Sequence, residues 1–221
     1  VLRARRRNVL SFAVLSHPHP DHVIGLASAL PRVSVGEFWD SGQGERQGAG
    51  PVYQGLLDGL RARGVMVRRP PELCGKAFYF GQARLRVLGP CPDIVPGRSA
   101  NNSSIVLHVQ YGRRAALLVG DAEHEQEEDL MKLGPSVLHA DLLKVGHHGS
   151  KTSTSAAFVD AVSPRDAIIT SGVRNRYGHP APNTLKLLKE KGVRVFRSDV
   201  HGAVRWETDG ESLWVKTAIS P

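Results

Sequence analysis

The stretch that decides the fold runs Ser16-His17-Pro18-His19-Pro20-Asp21-His22 and directly follows a run of apolar residues. Side chains two positions apart on an extended chain point the same way, so His17 and His19 can coordinate one metal ion. The intervening prolines keep this part of the chain extended. A helix is predicted to start next, and the turn into it lets Asp21 and His22 face a second position. Imidazole and carboxylate are typical ligands of zinc, manganese or iron, so the pattern predicts a metal site.

Further candidate ligands follow two later apolar runs. Asp121 ends the run at residues 117–120, where a carboxylate can lie between two metal positions. His147 and His148 follow the run at residues 142–146. One of these histidines is expected to be a further metal ligand, and the resemblance described below implies that the other binds a substrate phosphate. The sequence does not decide between them, because adjacent side chains diverge.

The rest of the chain alternates between short β-branched runs and helical patterns, with glycine or proline at most junctions. Strands are predicted at residues 10–16, 37–39, 65–69, 77–80, 84–88, 105–111, 115–119, 142–145, 167–170, 193–197, 203–207 and 213–217. Helices are predicted at residues 22–30, 51–63, 123–134, 155–162 and 183–191, and the glycine-rich residues 41–50 are expected to form a flexible, exposed loop. This alternation indicates a layered α/β fold with helices outside packed sheets, in one domain over residues 1–221.

Composition narrows the function classes. The chain has 221 residues and a formal net charge of +8, which favours polyanionic partners such as nucleic acid or anionic lipid. The alternative explanation of this charge is the arginine-rich composition typical of a GC-rich genome. No apolar run approaches the roughly 18 residues of a transmembrane segment. Cys74 and Cys91 are interpreted as isolated thiols, with a single disulfide as the alternative in an oxidising compartment. The nucleotide-binding patterns Walker A and GxGxxG are absent from the sequence. The GxSxG pattern is absent as well, so serine-nucleophile catalysis is unsupported.

The His-x-His-x-Asp-His pattern resembles the signature of the metallo-β-lactamase superfamily. Three later segments, in order, resemble the extracellular hydrolase domain of the ComEC family of DNA-uptake channel proteins. They are Asn101-Asn102-Ser103-Ser104, Lys144-Val145-Gly146-His147-His148-Gly149-Ser150 and Tyr177-Gly178-His179-Pro180. The resemblance implies an αββα sandwich and a metal-dependent nuclease or phosphodiesterase that degrades the non-transported strand during competence. The resemblance also implies a location at the extracellular or periplasmic face of the cytoplasmic membrane. If the protein is not ComEC-like, we expect it to be soluble and cytoplasmic.

The resemblance also implies a catalytic arrangement. Two divalent ions, zinc or manganese, would hold a hydroxide that attacks phosphorus, and Asp121 would bridge them. The expected metal ligands are His17, His19, Asp21, His22, Asp121 and His147 or His148. Asp21 and His179 are the expected catalytic residues, with His179 assisting the leaving oxygen. The expected substrate contacts are Ser104, Ser150, Lys151 and Asn175.

Two departures from the superfamily pattern affect these expectations. Only one strand is predicted before the metal-binding stretch, so we expect some N-terminal strands of the fold to be missing. Many superfamily members also supply a third histidine to the first ion, and residues 101–104 contain none. The first ion is therefore either weakly held or bound with the help of Ser104 and water.

Two other functions remain open at this point. The same metal centre serves carbonyl and phosphoryl attack, so a small-molecule hydrolase of an ester, lactone or cyclic phosphodiester is one alternative. A deep apolar pocket would favour it, whereas an open basic groove favours DNA. A DNA-binding module with a degenerate metal site is the other alternative.

Overall fold

The computed structural model describes residues 8–220. The strands are β1 (Val9–Leu15), β2 (Ser34–Asp40), β3 (Met66–Arg68), β4 (Ala77–Phe80), β5 (Ala83–Gly89), β6 (Val106–Tyr111), β7 (Arg114–Leu118), β8 (Leu142–Lys144), β9 (Asp166–Ile169), β10 (Arg194–Arg197), β11 (Val204–Thr208) and β12 (Leu213–Thr217). The helices are α1 (Pro20–Ala29), α2 (Gln43–Gln47), α3 (Pro51–Ala62), α4 (Pro70–Leu73), α5 (His124–Met131), α6 (Pro135–Leu138), α7 (Ala156–Val162), α8 (Pro182–Glu190) and α9 (Ser198–His201).

A parallel three-stranded sheet, in the order β1-β2-β3, forms one inner layer. Alternate residues of β1 face opposite sides of this sheet, as the period of two along a strand requires. Ala13 and Leu15 pack with α1 and α3 in one apolar core, whereas Phe12 and Val14 pack towards the second sheet. The sheet is therefore buried on both faces.

The second sheet has seven strands in the order β10-β9-β8-β7-β6-β5-β4. Strands β7 to β10 are parallel neighbours, and β4 to β7 are joined as antiparallel pairs. Trp39 of the first sheet packs against Leu85 and Leu107 of the second, so the two sheets share a core. Further cores lie between the second sheet and the helices α5 to α8. The predicted αββα sandwich is thus confirmed.

This arrangement determines where the predicted ligands lie. The histidine-rich stretch follows β1, Asp121 follows β7, and the paired histidines follow β8. The carboxyl ends of parallel strands form a common edge, which is where open α/β sheets bind ligands. The segment after β9, residues 170–180, reaches the same edge, because Thr170 accepts a hydrogen bond from the ring of His148.

Residues 41–50 differ from the prediction of a flexible, exposed loop. They include the short helix α2, and Ser41, Gln43 and Gly44 are buried. A Cβ atom at position 44 would lie 2.6 Å from the Tyr53 ring, so glycine permits close packing here. Gly44 therefore serves a tight contact, whereas residues 45–48 and Gly50 are exposed as predicted.

Two further expectations concern the chain ends and the membrane. The expectation that N-terminal strands are missing falls outside the described residues, which begin at position 8. Within residues 8–220, no helix combines the length and apolar character needed to cross a membrane.

The interpretation of Cys74 and Cys91 as isolated thiols is wrong. Their Cα atoms lie 5.7 Å apart and the two sulfurs form a disulfide. Cys74 ends α4 and Cys91 follows β5, so the bond ties a peripheral segment to the end of a central strand. Sequence spacing alone does not reveal the pairing, because it depends on β4 and β5 folding back as a hairpin.

The disulfide predicts a redox-dependent stability. It closes a loop with a sequence separation of 17 residues, for which chain-entropy arguments give a stabilisation of about 3 kcal/mol. We expect dithiothreitol to lower the midpoint of thermal unfolding measured by circular dichroism. The double variant Cys74→Ser, Cys91→Ser should start from the lower midpoint and show no response to the reductant. An unchanged midpoint in the reduced wild-type chain would contradict a stabilising role.

Candidate metal centre

Four side chains bring potential metal-ligand atoms together at the carboxyl edge of the strands. They are Asp21, His22, Asp121 and His148, and their ligand atoms lie within 4.8 Å of one another. Nε2 of His22 and Nε2 of His148 each lie 3.3 Å from Oδ2 of Asp121. Oδ2 of Asp21 lies 3.2 Å from the same His148 nitrogen. Ligand bonds of 2.0–2.1 Å in a tetrahedron require donors roughly 3.4 Å apart, so these four residues fit a single zinc-sized ion.

The start of α1 positions Asp21 and His22. His19 is extended at the N-terminal boundary of the helix (φ −67°, ψ 151°), and Pro20 occupies the first helical turn, where its missing N–H is harmless. The chain therefore changes from extended to helical within the stretch, as predicted. This change lets His22 reach Asp121 and Asp21 reach His148, while the rings of His22 and His17 stay in contact with a centroid distance of 4.2 Å.

A glycine lets Asp121 reach the cluster. Gly120 has φ +58°, and a Cβ atom at this position would come within 2.9 Å of Ser16 and Ser104. Any other residue would clash with the strand connection after β1. The backbone N–H of Asp121 donates to Oγ of Ser104 at 3.1 Å, which fixes the carboxylate in place.

Asp121 is 2% exposed, so its charge requires compensation. Burial opposes its ionisation, but hydrogen bonds from His148 and His22 outweigh that effect, together with the charge of Lys144. These neighbours hold the pKa of Asp121 far below its usual range. Nζ of Lys144 lies 3.4 Å from Oδ1 of Asp121, which leaves Oδ2 to face the cluster.

The geometry separates the roles of the paired histidines. Both have left-handed backbone angles, with φ 43° at His147 and φ 54° at His148, a conformation in which the chain turns sharply. His148 enters the cluster through Nε2, and its Nδ1 lies 2.6 Å from the carbonyl oxygen of Thr170, to which it can donate. Such an outer hydrogen bond orients a ligating imidazole. His148 is therefore the candidate ligand.

His147 points away from the four donors. Its Nδ1 lies 3.0 Å from Oε1 of Glu123, and its ring centroid lies 5.5 Å from that of His179. His147 and His179 thus form a second wall of the site. Burial and the charges of His147 and His148 lower the pKa of His179.

His17 and His19 flank a different position with fewer donors. Nε2 of His17 lies 3.1 Å from Nδ1 of His19 and 3.8 Å from Oδ2 of Asp121. Burial and the neighbouring His22 lower the pKa of His17 to about 2, so its imidazole is neutral and available as a ligand. The two histidines thus lie beside the four-donor group, which is the group that brings four potential ligand atoms together among the described residues.

Two predicted substrate contacts lie behind the site. Ser104 is fully buried, and besides accepting from Asp121 its hydroxyl lies 3.4 Å from Nδ1 of His17. Ser150 is 5% exposed, and its hydroxyl hydrogen-bonds to Thr152. Both serines therefore support the ligand-bearing turns and do not line the open surface.

The other two predicted substrate contacts lie nearer the surface. Lys151 is exposed next to the paired histidines. Asn175 is half-buried and binds its own loop, accepting from the N–H of His179 at 2.8 Å and donating to the carbonyl of Gly172 at 3.0 Å. Asn175 thereby positions the segment that carries His179.

Sequence reasoning gave no role to Lys144 or Glu123, although both contact predicted ligands. Lys144 donates to the carbonyl of Gly120 at 2.7 Å as well as pairing with Asp121. A basic residue ending a buried strand was the available signal for it. Glu123 offered no comparable signal, because acidic residues near a helix start usually serve the helix dipole.

Comparison with known proteins identifies relatives of the chain. The family model of the metallo-beta-lactamase superfamily matches residues 2–172. ComE operon protein 3 of Bacillus subtilis is 38% identical over 157 residues, covering 71% of this chain and 20% of the relative. Recombination protein 2 of Haemophilus influenzae is 34% identical over 197 residues, covering 89% of this chain and 22% of the relative. Competence protein ComA of Neisseria gonorrhoeae is 38% identical over 106 residues, covering 48% of this chain and 15% of the relative.

The chain thus spans about a fifth or less of the length of these relatives. Among solved structures, the diiron β-hydroxylase CmlA of Streptomyces venezuelae aligns with a TM-score of 0.56 at 15% identity, covering 86% of this chain and 44% of CmlA. This likeness concerns the fold alone.

The separate positions of the paired histidines predict unequal effects on metal binding. We expect His148→Ala to weaken zinc or manganese binding, measured by isothermal titration calorimetry, by more than the roughly 10- to 100-fold lost when an outer-shell partner is changed. His147→Ala should have a smaller effect, and His124→Ala, at an exposed position, should have none. A larger loss in His147→Ala than in His148→Ala would reverse the ligand assignment.

The environment of His148 also predicts how metal affinity depends on pH. Its hydrogen bond with Asp121 raises the pKa of His148 in the metal-free protein, despite partial burial. An ion must displace this proton, so apparent affinity should fall by about tenfold per pH unit below the raised pKa and level off above it. Titrations from about pH 5 to about pH 8 check this. His148→Ala should flatten the dependence, whereas a wild-type affinity that stays constant over this range would contradict it.

Proposed function

This chain belongs to the metallo-β-lactamase superfamily, and we propose that it is a metal-dependent phosphodiesterase that cleaves DNA during DNA uptake. The observation that carries the proposal is the cluster of Asp21, His22, Asp121 and His148, drawn from three strand ends. Side-chain exposure rises from 2% at Asp121 to 61% at Asp21, so one side of the cluster is open to a substrate. A purely structural metal site would be closed on all sides.

Bound at the four-donor position and beside His17 and His19, two zinc or manganese ions would activate water and neutralise charge on the attacked phosphoryl group. Asp121 would be the ligand shared by the two positions, because its Oδ2 lies 3.3 Å from Nε2 of His22 and 3.8 Å from Nε2 of His17. Lys144 holds the other oxygen of this carboxylate, so the carboxylate cannot rotate away. Asp21, the most exposed donor, is placed to accept a proton from the attacking water.

His179 is proposed to act on the opposite side of the phosphate. Its lowered pKa makes it neutral near pH 7, so its ring N–H can donate a hydrogen bond to the leaving oxygen. Asn175 holds the backbone of His179. Glu123 accepts a hydrogen bond from His147, whose ring lies beside that of His179. Both supports keep the two rings in place before a substrate arrives.

The surroundings favour an extended anionic substrate. Lys151, Arg174 and Arg176 are exposed around the open side of the site, and positive charge at a rim attracts phosphodiester backbones. One relative is named Competence protein ComA and another ComE operon protein 3, and these names support DNA as the substrate. A DNA-uptake role would place the domain at the outer face of the cytoplasmic membrane, where its disulfide could persist.

A cleavage assay tests this function. We expect the purified chain with manganese or zinc to cut DNA, and chelator to abolish the activity. Asp21→Asn preserves the shape of the side chain but removes its charge and proton-accepting capacity. It should reduce the cleavage rate by roughly 100-fold or more. His124→Ala serves as the control and should cleave at the wild-type rate.

The alternatives give different results in the same assay. Hydrolysis of a small ester, lactone or cyclic phosphodiester without DNA cleavage would indicate a small-molecule hydrolase. DNA binding without turnover in saturating manganese would indicate a binding module. Metal-dependent cutting that persists in Asp21→Asn would overturn the catalytic assignment itself.

A further inference from the structure

An exposed aromatic ring lies beside the candidate metal centre. Tyr177 is 72% exposed, and its ring lies nearly parallel to that of His179, with a centroid distance of 6.0 Å and an interplanar angle of 20°. Single exposed aromatic residues are common on protein surfaces and need no explanation by themselves. The position of Tyr177 relative to the cluster distinguishes it from such residues.

A cavity of about 390 Å³ connects this ring with the metal ligands. Asp21 and His148 line this cavity together with Tyr177 and His179. Thr170 and Ser198 also contribute to its wall. The volume lies within the range of small-ligand sites. A group attached to a phosphate at the cluster can therefore extend along the cavity as far as the face of Tyr177.

The loop that carries Tyr177 is held in place. The side chain of Asn175 donates to the carbonyls of Gly172 and His179 and accepts from the N–H of His179. The N–H of Ala181 donates to the carbonyl of Gly149, which ties the loop to the turn of the paired histidines. The ring is thus positioned in advance, which reduces the entropy lost on binding.

Positive charge accompanies the aromatic surface. The guanidinium of Arg176 lies 5.8 Å from the centroid of the Tyr177 ring, and Arg174 is exposed on the same loop. Proteins that bind single-stranded nucleic acid combine aromatic stacking surfaces with cationic grooves that follow the backbone. The loop supplies both features at one end of the cavity.

We infer that Tyr177, supported by His179, is a stacking surface for an unpaired nucleobase next to the phosphate at the metal centre. A base within a duplex has both faces stacked on its neighbours, so it can lie against Tyr177 only after leaving the helix. The site therefore favours single-stranded over double-stranded DNA. This inference rests on the proposed function, and it specifies the form of its substrate.

Binding and cleavage test the inference separately. Fluorescence anisotropy measures the dissociation constants of a labelled oligothymidylate and of a fully paired duplex, both in an Asp21→Asn background that limits turnover. Adding Tyr177→Ala should weaken single-strand binding by about 5- to 150-fold, as expected for the loss of one stacked base. Duplex binding should change far less. Tyr177→Phe, which retains the ring, should bind the single strand like the background protein.

Tyr79→Ala is the matched control, because Tyr79 is also an exposed tyrosine (67%) but lies on β4 at the far edge of the sheet. It should leave both dissociation constants unchanged. Equal weakening of single-strand and duplex binding by Tyr177→Ala, or no weakening, would overturn the inference. So would failure of the background protein to bind the oligothymidylate.

The two proposals fail in distinguishable ways. In one outcome, single-strand binding depends on Tyr177 but the wild-type chain shows no metal-dependent cleavage. This result would contradict the proposed hydrolysis and support the stacking surface. Cleavage of single and double strands at equal rates, with no change in Tyr177→Ala, would support hydrolysis and remove the stacking surface.

Discussion

A buried carboxylate must be compensated, and the structure of the site follows from how Asp121 meets this requirement. Its carboxylate is almost fully enclosed, with Lys144 on one oxygen and His22 and His148 on the other. His22 follows β1, whereas Lys144 and His148 both come from the end of β8, so these charges meet Asp121 only when β1, β7 and β8 are correctly placed. Burial makes an unpaired carboxylate unfavourable and also strengthens its attraction for any cation at the cluster. The fold therefore holds the carboxylate where it can attract a cation.

The features that could be predicted from the sequence depend on local chain geometry. Residues 10–22 predict a strand, an extended connection and a helix start, and the structure has these elements in that order. A carboxylate after a strand is common in α/β proteins, so Asp121 could be singled out only through its order after the His-x-His-x-Asp-His pattern in the superfamily resemblance. The choice between His147 and His148 could not be made, since two successive left-handed residues reverse the usual alternation of side chains. That conformation depends on tertiary contacts, including the bond between His148 and Thr170.

The other predictions that differ from the structure depend in the same way on contacts between residues that are distant in sequence. Residues 41–50 have the composition of a flexible loop, but Tyr53 packs directly against Gly44 and Gln43 donates to the carbonyl of Arg98 across 55 positions. The Cys74–Cys91 bond likewise depends on a hairpin that brings distant segments together. Ser104 was expected to contact substrate, or together with water to take the place of a third histidine at the first ion. Its hydroxyl instead faces inwards, where an N–H of the Asp121 backbone needed an acceptor.

The potential donors are unevenly distributed around Asp121. Asp21, His22, Asp121 and His148 bring four potential ligand atoms within 4.8 Å of one another, whereas Nε2 of His17 lies 3.8 Å from Oδ2 of Asp121 and 3.1 Å from Nδ1 of His19. The charge of Lys144 acts on both His17 and His148, so it does not favour one side over the other. The number of close donors therefore makes the four-residue group the stronger candidate position for a cation, and a cation beside His17 would need a further ligand such as a phosphate oxygen.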